Sequence, residues 1–144
     1  MVNVKIRHDC KTELHEAELR ATPARLAVMK LLEKTRIPVD VAMVKDYLDQ
    51  QKIATDQATV FRIMHMFQEK GLVRQLSLNE GKFRYELAAR EDHHHLVCQV
   101  CGMIEDFSDC AIAALEKDIK KKKHFTVSSH ALEFYGLCRN CQKK

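Results

Sequence analysis

The sequence predicts an α+β chain: a winged helix-turn-helix followed by a small α/β domain that a four-cysteine zinc site holds together. Three observations carry that expectation. Apolar residues recur at helical spacing up to Gly71, the period drops to two between Leu72 and Leu87, and two Cys-x-x-Cys pairs fall in the last third of the chain.

The elements follow in order. A short helix is expected around residues 11–19. Thr22-Pro23 supplies an N-cap and a proline at the first helical position, and Leu26, Met29 and Leu32, or Val28, Leu31 and Leu32, form the apolar stripe of the next helix. Asp40 caps a third helix with Val41, Val44, Tyr47 and Leu48 inward. Thr55-Asp56 opens a fourth, with Val60, Phe61, Ile63, Met64 and Phe67 apolar and Gly71 just past its end. Residues 72–78 and 82–87 then alternate around Asn79-Glu80-Gly81, good hairpin-turn chemistry. Phe83, Tyr85 and Leu87 should face one way and Lys82, Arg84 and Glu86 the other. This winged-helix domain spans residues 1–87, a polar hinge 88–92, and the second domain 93–144. The latter reads as strand (95–100), turn at Cys101-Gly102, strand (103–107), helix from a Ser108 cap to about Lys122, strand (125–134) and a cysteine turn, with Cys110 a small core residue.

Bulk properties narrow the possibilities. At 144 residues and 46% hydrophobic, with four glycines and two prolines, the chain has room for two small modules and little disorder. Its net charge of +4 falls entirely in the first segment, where residues 1–90 carry 16 Lys and Arg against 12 Asp and Glu, while residues 91–144 carry 8 of each. A basic first half suits a polyanion. No apolar run reaches the roughly 20 residues of a membrane span. The start, Met1-Val-Asn-Val-Lys-Ile-Arg, lacks the apolar core of a signal peptide, so a cytoplasmic location and reduced cysteines are expected.

Cys98-Gln-Val-Cys101 and Cys138-Arg-Asn-Cys141 can each bring two sulfurs to one ion from a tight turn. Together they complete a tetrahedral thiolate shell suited to Zn²⁺, with no open position, which makes the ion structural. In His93-His94-His95, an extended backbone points His93 and His95 to one side. With Glu86 and Asp106 they offer two nitrogens and two carboxylates, a set suited to Fe²⁺, Mn²⁺ or an exchangeable Zn²⁺. On the fourth helix Thr55, Gln57, Thr59, Arg62 and His65 form a polar face able to meet phosphates and a guanine edge, and Lys82 and Arg84 make the following hairpin basic.

With these residues in place, the chain resembles the ferric uptake regulator (Fur) family along nearly its whole length. The matching segments are Leu19-Arg-Ala-Thr-Pro-Ala-Arg25, Ala58-Thr-Val-Phe-Arg62, Phe83-Arg-Tyr-Glu-Leu87, His93-His-His-Leu-Val-Cys-Gln-Val-Cys-Gly102, Ile104-Glu-Asp-Phe107 and Phe134-Tyr-Gly-Leu-Cys138. The resemblance implies a homodimeric, metal-dependent repressor that binds double-stranded operator DNA and has no small-molecule substrate. In it the second domain serves dimerisation, the four cysteines hold structural zinc, and Glu86, His93, His95 and Asp106 hold the regulatory Fe²⁺ or Mn²⁺. It further implies that Phe61 and Arg62 contact bases, Phe standing where Tyr is usual, and that Arg20 reaches the minor groove. An additional family site would use His94 and His130, but its carboxylate position is Ala113 here. Where members supply a fifth regulatory histidine this chain has Ile37-Pro38-Val39, leaving water or His8, Asp9 or Cys10 of the N-terminal arm to complete the shell. That departure speaks against a peroxide sensor, and the absence of a cysteine among the regulatory positions against a zinc sensor; the resemblance favours an iron or manganese sensor, with peroxide-sensing and zinc-sensing regulators as the alternatives.

Two other functional classes fit the residues less well. A zinc hydrolase needs an open metal position beside a general base, and no His-Glu-x-x-His helix is present, so an enzyme is not expected. A metal-storage protein has no use for a basic winged helix.

Overall fold

The computed structural model describes residues 9–91, 93–108 and 111–143. It divides into two compact units, the first running through Arg90 and the second from Glu91.

The first unit contains α1 (Cys10–Glu16), α2 (Pro23–Lys34), α3 (Val41–Gln50), α4 (Gln57–Glu69), β1 (Val73–Ser77) and β2 (Phe83–Leu87). Every helix begins on a side-chain cap. Asp9, Thr22, Asp40 and Asp56 accept hydrogen bonds from the amides of Lys11, Arg25, Met43 and Thr59, which would otherwise lack partners. The C-terminal ends of α1, α3 and α4 share one device. Leu19, Ile53 and Leu72 donate back to the carbonyls of Leu14, Leu48 and Phe67, while Glu18, Lys52 and Gly71 adopt positive φ of 60°, 57° and 72°. Only Gly71 is free of the Cβ penalty at such a position. Lys52→Gly should therefore raise the stability of the first unit by about 0.5–1 kcal/mol, read as a higher denaturation midpoint at unchanged m-value.

Leu14, Val28, Met29, Val44, Leu48, Val60, Met64 and Phe67 are fully enclosed and make the core common to the four helices. On α2 the buried set is Ala27, Val28, Met29 and Leu32, and Leu26 and Leu31 pack at its edge. Phe61 does not join the apolar core expected of α4; it is 54% exposed.

The hairpin pairs Val73 with Leu87 through Ser77 with Phe83, and its turn places Asn79 and Gly81 at φ of 56° and 75°. Alternation of faces along β2 does not produce alternation of burial. Phe83 is exposed whereas Arg84, Tyr85, Glu86 and Leu87 are all buried. The reason is a long-range bridge: Val39, just before α3, exchanges both backbone hydrogen bonds with Tyr85 at 2.9 and 2.7 Å. That makes β2 the middle of a three-membered sheet and draws the segment before α3 onto it: Tyr85 and Leu87 enter the helical core on one face, and on the other Arg84 is covered by Pro38, Met43 and Glu80.

The second unit contains β3 (His94–Cys98), β4 (Ile104–Phe107), α5 (Ala111–Lys123), β5 (Glu133–Gly136) and a 3-10 turn (Cys141–Lys143). The sheet order is β4-β3-β5, with β4 antiparallel and β5 parallel to β3. The strand expected over 125–134 reduces to β5. Its ladder against β3 starts at His95 with Glu133, and residues 124–132 have no strand partner among the described residues. Lys120–Lys123 form the last turn of α5, where cations oppose the helix dipole. Ser108 lies before α5, and the expected core role of Cys110 lies outside the described residues. No described helix is long and apolar enough to cross a membrane.

Candidate metal centre and nucleic-acid face

The four-cysteine cluster follows from strand order. β3 ends at Cys98, and a tight turn closes behind it with Gly102 donating to the Cys98 carbonyl and Cys98 to that of Met103, both at 2.9 Å. This folds Cys101 back over Cys98. Parallel pairing carries β5 to Gly136 opposite Cys98, so Cys138 arrives at the same sheet end. Its amide donates to the Cys98 sulfur at 3.3 Å, and the 3-10 turn brings Cys141 round.

All four Sγ atoms lie within 4.8 Å of one another, and those of Cys101 and Cys138 are 3.7 Å apart. Sulfurs about 2.3 Å from a tetrahedral zinc stand roughly 3.8 Å apart, whereas a disulfide requires about 2.05 Å. All four are free thiols. The Cys101 amide, followed by those of Cys138 and Val100, lowers the Cys98 thiol to about 6. The Cys138 sulfur, then burial, then Cys98 and Cys101, push Cys141 up to about 12. One thiolate is thus favoured and further ones repelled, a conflict that a divalent cation at the centre resolves. The donor set fits Zn²⁺, and a four-thiolate shell leaves no position for substrate.

On β3 the histidines alternate as expected. His93 and His95 share a side, rings edge to face with centroids 4.8 Å apart. Antiparallel register sets His95 opposite Asp106, and His95 Nε2 lies 3.9 Å from Asp106 Oδ1. That separation exceeds a hydrogen bond and suits two ligands of one ion. Within the first unit Glu86 is buried at 3% exposure, with Arg74 Nε donating to one carboxylate oxygen at 2.8 Å and an Arg90 guanidinium nitrogen to the other at 3.3 Å. His94 faces away from the pair towards His130, ring centroids 5.3 Å apart, and His130 Nδ1 meets Glu116 at 2.9 Å. The carboxylate near His130 is therefore Glu116, one turn along α5 from Ala113. Helix phase was the only signal that could have found it.

The arm residues offered as alternative regulatory ligands are engaged inside the first unit. Asp9 caps α1, and its carboxylate also accepts from the Thr12 hydroxyl at 2.7 Å. Cys10 is buried with its thiol 3.4 Å from Glu33, and burial pushes that thiol up to about 11, so it stays protonated. His8 lies outside the described residues.

The candidate DNA face is mostly exposed. On α4, Phe61, Arg62 and His65 stand outward, with the Phe61 and His65 rings stacked at 6.4 Å and 2° between planes, and Thr59 is half-buried beside them. Arg20 is exposed. Lys82 is exposed as well but ion-paired to Asp40 at 2.5 Å. Burial would raise the Asp40 carboxyl, yet Lys82 and the Met43 amide hold it below the usual carboxylate range.

Arg84 departs from expectation. It is 7% exposed, with its guanidinium held by Glu80 at 2.6 and 2.9 Å and donating to the Pro38 carbonyl at 3.0 Å. An arginine clamped in this way is a strut of the wing, and its charge is unavailable to a phosphate. Sequence reasoning missed its partner Glu80, which sits in the hairpin turn.

A helical head with an exposed aromatic and basic helix face, a hairpin wing and a second unit closed by four thiols together define a metal-binding winged-helix regulator. The family model described as "Ferric uptake regulator family" matches residues 16–135. The ferric uptake regulation protein of Legionella pneumophila is 35% identical over 131 residues, covering 90% of this chain and 96% of that protein. The peroxide operon regulator of Bacillus subtilis is 31% identical over 131 residues, covering 91% and 90%. Among solved structures, the ferric uptake regulator from Francisella tularensis with iron has a TM-score of 0.77 at 30% identity, covering 86% of this chain and 95% of that one. The chain belongs to the ferric uptake regulator family of metal-responsive regulators.

Proposed function

We propose that the protein is a homodimeric, cytoplasmic repressor that binds double-stranded operator DNA when Fe²⁺ or Mn²⁺ occupies Glu86, His93, His95 and Asp106, while Zn²⁺ at Cys98, Cys101, Cys138 and Cys141 maintains the second unit. Its role is regulatory, with no reaction catalysed. The observation that carries this reading is the convergence of His93, His95 and Asp106 on adjacent strands, separate from the thiol cluster. Imidazole and carboxylate donors favour an exchangeable iron or manganese ion, whereas four thiolates hold zinc permanently. The iron in the Francisella structure supports the choice of metal. Glu86 belongs to the first unit and the other three donors to the second, so an ion that drew on all four would link the two units. A link of that kind favours one dimer geometry over others and couples metal to operator affinity.

Thr59, Phe61, Arg62 and His65 then face the major groove, Arg20 the minor groove, and Lys82 the backbone. Phe61 brings apolar contact in place of a phenolic hydrogen bond. Association of two copies draws on α5, which buries none of its residues and leaves Leu115 56% exposed, and on Phe134 of β5 and Phe107 of β4, 44% and 40% exposed.

The test is operator binding by the His93→Ala/His95→Ala double variant, measured with and without Mn²⁺ on zinc-loaded protein. The metal-dependent gain in affinity, typically about 5–150-fold in coupled systems, should vanish while zinc content is unchanged. A gain equal to that of the original protein would overturn the reading.

A peroxide-sensing role is the second reading, favoured by the identity with the Bacillus subtilis regulator. The Val39 segment argues against it, because its backbone is committed to pairing with Tyr85 and it offers no imidazole.

A further inference from the structure

We propose that Arg74 and Arg90 set the threshold of the metal response by competing with the metal for the Glu86 carboxylate. The inference rests on Glu86 being a regulatory ligand, as proposed above. Arg74 lies directly opposite Glu86 in the β1–β2 register, and its Nε takes Oε1 at 2.8 Å. Arg90, four residues beyond Glu86, takes Oε2 at 3.3 Å and is itself held by the Arg36 carbonyl at 2.6 Å. Two guanidiniums therefore engage one buried carboxylate, one on each oxygen.

Neither arginine can shed its charge at any physiological pH. A carboxylate has about four lone-pair directions, so a cation can be accepted beside both arginines, but only against their repulsion. The pair thus weakens a site whose imidazole and carboxylate donors would otherwise hold a divalent ion more tightly. This role is opposite in sign to that of partners which merely orient a ligand, whose loss typically weakens metal binding about 10–100-fold.

The experiment measures Mn²⁺ affinity of the full, zinc-loaded chain by competition with a fluorescent chelator, for R74Q, R90Q, R90K and E86Q. A single charge within about 4–6 Å shifts a binding equilibrium by one or more powers of ten, so R74Q and R90Q should each tighten Mn²⁺ about 10-fold. R90K keeps the charge and should stay near the original value. E86Q should weaken binding about 10–100-fold. The Mn²⁺ concentration at half-maximal operator binding should fall in parallel for R74Q and R90Q. Unchanged or weaker Mn²⁺ binding in R74Q and R90Q, with E86Q weakened, overturns the inference and leaves the metal reading intact. Unchanged binding in E86Q overturns the assignment of Glu86 itself. Should R74Q fail to fold, R90Q, whose arginine side chain is 24% exposed at the end of the unit, decides the matter alone.

Discussion

Cys98→Ser is expected to abolish zinc retention and unfold the second unit while the winged helix stays folded. Among the described residues, the buried apolar side chains of this unit are Val97, Cys98 and Ile104, and α5 adds none. Three such side chains make a sparse core, and a small domain with little core leans on a metal or a partner for its stability. A structural zinc in a small domain contributes about 10–16 kcal/mol of apparent binding free energy, comparable with the entire stability of an ordinary domain. Cys98 stands at the centre of the cluster, with Cys101 and Cys138 amides directed at its sulfur and its thiol already lowered to about 6. Elemental analysis should find zinc lost, and limited proteolysis should degrade the second unit and spare the first. Zinc content and protease resistance equal to the original protein would refute the role assigned to the cluster. Cys10→Ser is the matched control, since Cys10 sits in the core of the first unit and its loss should leave zinc content unchanged.

Glu80→Ala should cost the first unit about 3 kcal/mol, far more than a residue in a hairpin turn normally would. Removing one partner of a buried ion pair leaves the other charge unpaired, at roughly 3–5 kcal/mol when burial is complete. Here the Arg84 and Glu80 side chains are 9% and 20% exposed, and the Pro38 carbonyl still accepts from Arg84, so the lower end applies. The loss should appear in the thermal melt of DNA-free protein. An unchanged melt together with weakened operator binding would instead return Arg84 to the DNA face. Replacing both residues, as Arg84→Met with Glu80→Leu, should recover much of the stability, because no buried charge is then left behind.

What was legible in the sequence is what local chemistry fixes. Asp40, Asp56 and Thr22-Pro23 announce helix starts because a cap needs only its own side chain and an amide two or three residues on. Gly71 announces the end of α4. The ends of α1 and α3 carried no such mark, because Glu18 and Lys52 occupy the left-handed position without being glycine. The thiol cluster was legible because Cys-x-x-Cys needs only a tight turn. Burial of β2 on both faces was hidden because it depends on Val39, more than forty residues away, and with it the inward turn of Arg84. Arg74 beside Glu86 and Glu116 beside His130 were hidden too, since they follow from strand register and helix phase.

The open face of α5 carries a consequence for the living cell. A helix that buries none of its own residues draws its stability from whatever covers it, and in the homodimer proposed above a second copy is the cover, so mass action enters the folding free energy. Such a regulator is dose-sensitive: falling copy number erodes both operator occupancy and the persistence of each chain against proteolysis, so scarcity of the protein deepens itself.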